Sequence, residues 1–159
     1  MTSPWKKRLK WLALALVTVE VIASIATLPP ASDPNPRPLL EGAQVPAKVL
    51  AILDRSCRDC HSDATRYPWY SYLAPVSTLI GRDVTRGRGF LNLSKWTEYS
   101  VIRRQRALTG IANQVKDGLM PLDIYIRLHP EARLSNEEVD LVFDWVQTER
   151  MRLILDQQR

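Results

Sequence analysis

The chain has 159 residues, 45% of them hydrophobic and 25% charged, which excludes a disordered tail and allows one folded domain plus an appendage. Its formal net charge is +5, but four of the 22 basic residues and one of the 17 acidic ones lie in residues 1–28, leaving 18 against 16 elsewhere. That near balance argues against nucleic acid as a partner, and Arg82, Arg86, Arg88, Arg103, Arg104 and Arg106 are expected on solvated helix faces.

Residues 1–28 form the first unit. Trp11 to Leu28 is mostly apolar, with Glu20 its one charge, and Lys6, Lys7, Arg8 and Lys10 stand just before it. A spanning helix needs roughly 17–25 such residues. No basic residue follows until Arg37, so the positive-inside bias keeps the N-terminus cytoplasmic and exports the remainder. Ser24-Ile25-Ala26 offers a small-x-small cleavage site, but the apolar run exceeds the usual signal-peptide core, so an uncleaved anchor is the expected state. A buried core helix fits less well, because the run lacks a polar face.

Residues 29–47 are rich in proline, with five of the chain's 11 prolines falling between Pro29 and Pro38. This composition predicts a semi-rigid, extended linker that holds the following domain off the membrane.

The third unit is residues 48–159. Val49, Leu50, Leu53 and Cys57 recur at helical spacing and predict a helix from Pro46 to Cys60. After a turn rich in Tyr67, Pro68, Trp69, Tyr70 and Tyr72, a helix is expected from Pro75 to about Arg86. Its face would be Val76, Leu79, Ile80 and Val84, with Gly87 and Gly89 ending it. A longer helix is expected from about Glu98 to Asp117, with the stripe Leu108, Ile111, Ala112 and Val115 and Gly118 as C-cap. Ser135 and Glu138 form a capping box before a final helix with face Val139, Val142, Phe143 and Val146. Alternating strand patterns of useful length are missing, so the fold class is all-α.

The chemistry lies in Cys57-Arg58-Asp59-Cys60-His61, a C-x-x-C-H motif for covalent haem attachment. Residues three and four apart share a helix face, so two thioethers and one imidazole can address one haem. The chain has two cysteines and two histidines, and three of these four fall in the motif. Three other chemistries use part of this pattern. A thioredoxin-like dithiol needs a βαβ surround that the sequence lacks. A structural disulfide suits an exported chain. A zinc site would have to recruit His129 as fourth ligand.

The expected cofactor is one covalent haem c, with His61 as an iron ligand. Met120 is the expected sixth ligand: it follows Gly118 and precedes Pro121, on a stiffened loop far enough along the chain to reach around one haem. His129 is the rival ligand, and a helix-capping role suits it equally. Met151 has a spacing that suggests packing. Asn92-Leu93-Ser94 matches a glycosylation acceptor by chance.

Three segments, SCRDCHSDATRYPWYS, APVSTLIGRDVTRGRGFLNLSKW and GLMPLDIYIRLHPEARLSNEEVDLVFDW, resemble the cytochrome c-like haem-binding domain of bacterial exported proteins. They cover roughly residues 48–147. The resemblance implies an all-α fold, covalent haem, His61 as proximal ligand and Met120 as distal ligand; with the topology above, the domain is expected on the periplasmic side of a bacterial inner membrane. Tyr67, Trp69 and Tyr70 are further candidates for the pocket wall, and Arg88 and Trp96 for the haem propionates.

The expected function is electron transfer between redox proteins outside the cytoplasm, without catalysis of its own. A haem-based redox or gas sensor with a weak sixth ligand is the alternative, and a thiol oxidoreductase the non-haem one. Reduction potential, donor and acceptor are not legible in the sequence.

Overall fold

The computed structural model describes residues 4–158, and these contain helices and no strand. The elements are α1 (Pro4–Ala26), α2 (Ala47–Ser56), α3 (Arg58–His61), α4 (Val76–Phe90), α5 (Val101–Lys116), α6 (Asp123–Leu128) and α7 (Asn136–Gln157). Short 3-10 turns cover Trp69–Tyr72, Leu93–Glu98 and Pro130–Ala132. The all-α class is as expected.

The core forms where α5 packs on α7 and α2 packs on α7. Leu53, Leu93, Trp96, Leu108, Val142 and Val146 are shut off from solvent there. The α5 stripe Leu108, Ile111, Ala112 and Val115 is buried as its periodicity requires. In α7, Val142 and Val146 are buried together with Trp145, Glu149 and Leu153. The expected capping box is present: the Glu138 amide donates to Ser135 Oγ, and the Ser135 amide donates to the Glu138 carboxylate.

Several elements depart from expectation. The helix expected from Pro46 to Cys60 is two, broken at Cys57 (φ −123°, ψ −29°). Helix α4 runs through Gly87 and Gly89 to Phe90. Gly87 is there for space: a Cβ would lie 2.4 Å from the Cys60 carbonyl oxygen, so the glycine permits a close crossing with α3 and does not stop the helix. Helix α5 starts at Val101, because Ser100 accepts the Arg103 amide and caps it. Helix α6 has no counterpart in the expected elements. Met151 is exposed rather than packed, and so are Leu50 and Leu79, which the periodicity placed on buried faces. Asn92 is buried, its side chain bonded to Asp63 and to the Ser94 amide, so it is not open to glycosylation.

The largest departure is residues 29–47. They do not stand free as a spacer; they lie against the helical body. The Asp33 amide donates to the Asp63 carbonyl and the Leu40 amide to the Leu93 carbonyl. Leu40 is buried in the core despite φ 56°, a conformation its burial and amide bond hold in place. Arg37 pairs with Glu98, and Trp145 Nε1 donates to the Gln44 carbonyl. Proline here removes amide donors from a segment that uses only some of its backbone groups for docking.

Helix α1 contains no buried residue and is long and apolar enough to cross a membrane.

Candidate functional site

A cavity of about 730 Å³ opens between α3, the C-terminal half of α4, α5 and the loop leading into α6. This is within the roughly 300–1,000 Å³ range of ligand and cofactor sites. Cys57, Cys60, His61 and Met120 all line it, so residues 59 positions apart in sequence, His61 and Met120, meet at one site.

Cys57 sits at the junction of α2 and α3. Its amide donates to Leu53 O and its carbonyl accepts from the His61 amide, which holds Cys57, Cys60 and His61 within about one turn. The two thiols are unbonded to each other. Burial pushes the Cys57 thiol up to about 12, with the neighbouring Cys60 adding to it, and burial likewise raises Cys60 to about 11. Neither is the acidic thiol on which a dithiol oxidoreductase depends.

His61 is oriented by the end of α4. Its Nδ1 lies 3.1 Å from Gly87 O and 3.1 Å from Leu91 O. Both partners are acceptors only, so Nδ1 carries the proton and Nε2 keeps its lone pair. This is the outer hydrogen bond that fixes tautomer and ring angle in metal-bound histidines. Burial lowers the His61 pKa, against the opposing effect of these two bonds, and so favours the neutral imidazole that an iron needs.

Met120 is placed by the end of α5. Gly118 (φ 66°) closes the helix: its amide donates to Val115 O, and the Leu119 amide to Gln114 O, a Schellman pair. The Met120 amide also donates to Gln114 O, and Pro121 is buried. His129 is engaged elsewhere: Nε2 lies 2.9 Å from Tyr70 Oη, Nδ1 lies 3.4 Å from the Glu131 carboxylate, and the ring stacks on Tyr125.

The other candidates stand away from the cavity wall. Trp69 is 77% exposed on its 3-10 turn. Tyr67 packs edge-on against Tyr72. Trp96 is in the core. Arg88 donates to the carbonyls of Ser62 and Ala31 and to Thr65 Oγ1, so it clamps the backbone that follows the motif. The positively charged side chains that do line the cavity are Arg86, Arg103 and Arg106. Their signal in the sequence is the face Arg103, Arg106, Ala107, Gly110 and Gln114, whose three- and four-residue steps put arginines and small residues together.

The cavity suits a flat, mainly apolar group with anionic edges. Beside Gly110 no atom lies within 4 Å of where a Cβ would be, so its backbone faces open space. Ser56 Oγ lines the same cavity, buried and without a hydrogen-bond partner. An orphaned polar atom of this kind points to a polar group of a bound molecule. Thiols, a neutral imidazole nitrogen, a thioether and three guanidinium groups make a donor set that fits a haem with its propionates.

Fold and cavity thus define an all-α haem-binding protein. Residues 15–148 match the family model described as a haem-binding domain, and the chain belongs to that family. No curated protein and no solved structure matches it.

Proposed function

We propose that the protein is a membrane-tethered c-type cytochrome with one haem, which passes electrons between redox proteins outside the cytoplasm. The observation that carries this reading is the His61 ring, bonded through Nδ1 to two carbonyls at the end of α4 while Cys57, Cys60 and Met120 line the same cavity.

Cys57 and Cys60 would each add a thiol S–H across a haem vinyl group, a step that needs no oxidant and leaves two thioethers. The bound haem supplies a one-electron couple at its iron. His61 Nε2 is the nitrogen available to that iron, and Met120 Sδ is the thioether in the same cavity. A thioether opposite an imidazole raises the reduction potential. Arg86, Arg103 and Arg106 would neutralise the propionates. Arg103 is already steadied over the Tyr99 ring, its guanidinium carbon 3.9 Å from the ring centre. Helix α1 would be the tether, and the basic residues in its first turns support a cytoplasmic N-terminus by the positive-inside bias. As a carrier, the protein transforms no substrate.

The test is the absorption spectrum of the full chain co-produced with cytochrome c maturation machinery. Haem that stays with the denatured polypeptide, together with a weak far-red ferric band, is the expected result. Haem lost on denaturation overturns covalent attachment. Covalent haem without that band, combined with ready carbon monoxide binding by the reduced protein, overturns the carrier reading in favour of a sensor.

A further inference from the structure

The end of α1 is tied to the helical body. Ser24 Oγ accepts the Ala74 amide at 3.1 Å, and Thr27 Oγ1 lies 2.6 Å from Ser77 Oγ. One turn further along α4, a Cβ on Gly81 would touch Pro29 and Pro30 at 3.6 and 3.7 Å. The segment from Ala74 to Gly81 therefore sits at the level where α1 ends.

That level follows from helix geometry. The helical part of the apolar run, Trp11 to Ala26, spans about 24 Å at 1.5 Å per residue, and Thr27 and Leu28 extend it, against a hydrocarbon core of about 30 Å. The match leaves little slack. Ser24 lies two residues, about 3 Å along the axis, short of the end of α1. Its partner Ala74 is then at the boundary between acyl chains and headgroups.

The surface around Ala74 has the composition of such a boundary. No charged residue occurs from Tyr67 to Gly81, although charged residues make up 25% of the chain. Trp69 is 77% exposed, Tyr72 46%, Leu73 43% and Leu79 53%. Trp and Tyr are the side chains that favour the membrane interface, having an apolar body and a polar tip. In bulk water four large apolar side chains so close together would be an unfavourable surface.

We infer that the 3-10 turn Trp69–Tyr72 and the first turns of α4, through Leu79, form a face that rests in the outer interface of the lipid bilayer. The face is continuous with the membrane helix through the Ser24–Ala74 and Thr27–Ser77 contacts, and lipid is the occupant that this continuity selects. The domain would then lie on the membrane in one orientation instead of swinging on a linker. Phe90, at the far end of α4 and on the cavity wall, would stand about 20 Å from the bilayer end of that helix. The cavity would thus be held off the bilayer, towards partners in the aqueous phase or those projecting from the membrane.

This inference rests on α1 spanning the bilayer, and its test separates the two. Full-length haem-loaded protein in phosphatidylcholine–phosphatidylglycerol vesicles would carry the photo-crosslinker benzoylphenylalanine in place of Leu16, Tyr72, Leu79 or Phe90, one at a time. A helical circular dichroism spectrum like that of the wild type reports that each variant is folded. After irradiation, lipid adducts are expected at Tyr72 and Leu79 in amounts comparable with Leu16, and at background level at Phe90. Adducts at Leu16 with none at Tyr72 and Leu79 overturn the docked face and leave the span standing. Equal adducts at Phe90 overturn the fixed orientation, and no adduct at Leu16 overturns the span and the inference with it.

Discussion

Gly87 on α4 faces the Cys60 carbonyl so closely that a Cβ at position 87 would stand 2.4 Å from that oxygen. The same crossing brings the Gly87 carbonyl within 3.1 Å of His61 Nδ1. One glycine thus sets both the approach of α4 to the C-x-x-C-H segment and the orientation of the imidazole. Gly87→Ala is expected to destabilise the protein by about 1–3 kcal/mol, the usual cost of forcing extra volume into a packed contact. Gly89→Ala meets no atom within 4 Å and should instead gain about 0.5–1 kcal/mol from helix propensity. Urea unfolding of the two variants checks this; equal effects would show that the crossing is looser than described.

Met120→Ala should retain covalent haem but lose the far-red ferric band and lower the reduction potential. His129→Ala should keep the band, because Nε2 of that residue is engaged by Tyr70 Oη. Its expected cost is about 1 kcal/mol of stability for the lost hydrogen bond. Ferric spectra and a redox titration of both variants decide which side chain holds the iron.

Glu149 is 1% exposed in the core and is held by Arg152 Nη2 at 2.5 Å and by the Gln44 amide at 3.3 Å. Arg152→Met would leave a buried carboxylate without its countercharge. The expected loss is about 3 kcal/mol, as for other buried pairs broken from one side. Adding Glu149→Gln to that variant should restore part of it. A denaturation series over wild type, single and double variants measures the coupling.

Acid should release the start of α7. Burial pushes the Glu138 carboxyl up, but the Ser135 amide and the Arg55 guanidinium, which meets both carboxylate oxygens at 2.9 Å, outweigh it and hold the pKa below the ordinary value. A carboxyl with a depressed folded pKa stabilises fully above its unfolded value of about 4.3, and loses that contribution as pH falls through the folded value. Stability measured between about pH 5 and pH 3 should fall less steeply in Glu138→Gln than in wild type. An unchanged slope would mean that the pair with Arg55 does not form in solution.

Much of this was legible in local sequence. The C-x-x-C-H motif was visible because its residues stand adjacent at fixed spacing. The α5 stripe was visible because helical periodicity repeats within the element, and the α7 start because its capping box closes over three residues. Gly118 as the C-cap of α5 follows from the same locality. The aromatic and arginine candidates Tyr67, Trp69, Arg88 and Trp96 have only their residue type as a signal. Residue type does not say which surface a side chain faces, and all four lie away from the cavity wall.

The sequence by itself therefore determined the helical class, the haem-binding character and the apolar character of α1, since each is written in neighbouring residues. Only the tertiary structure decided that Gly87 continues α4 instead of ending it, because its reason for being glycine is a carbonyl oxygen on α3. Only the tertiary structure brought Arg86, Arg103 and Arg106 to the cavity, and it alone turned the proline-rich stretch into a segment bound to Asp63, Leu93 and Trp145. Those contacts join residues dozens to a hundred positions apart, and they form because burying Leu40 and pairing backbone groups at the surface of a finished core outweighs leaving that stretch in water.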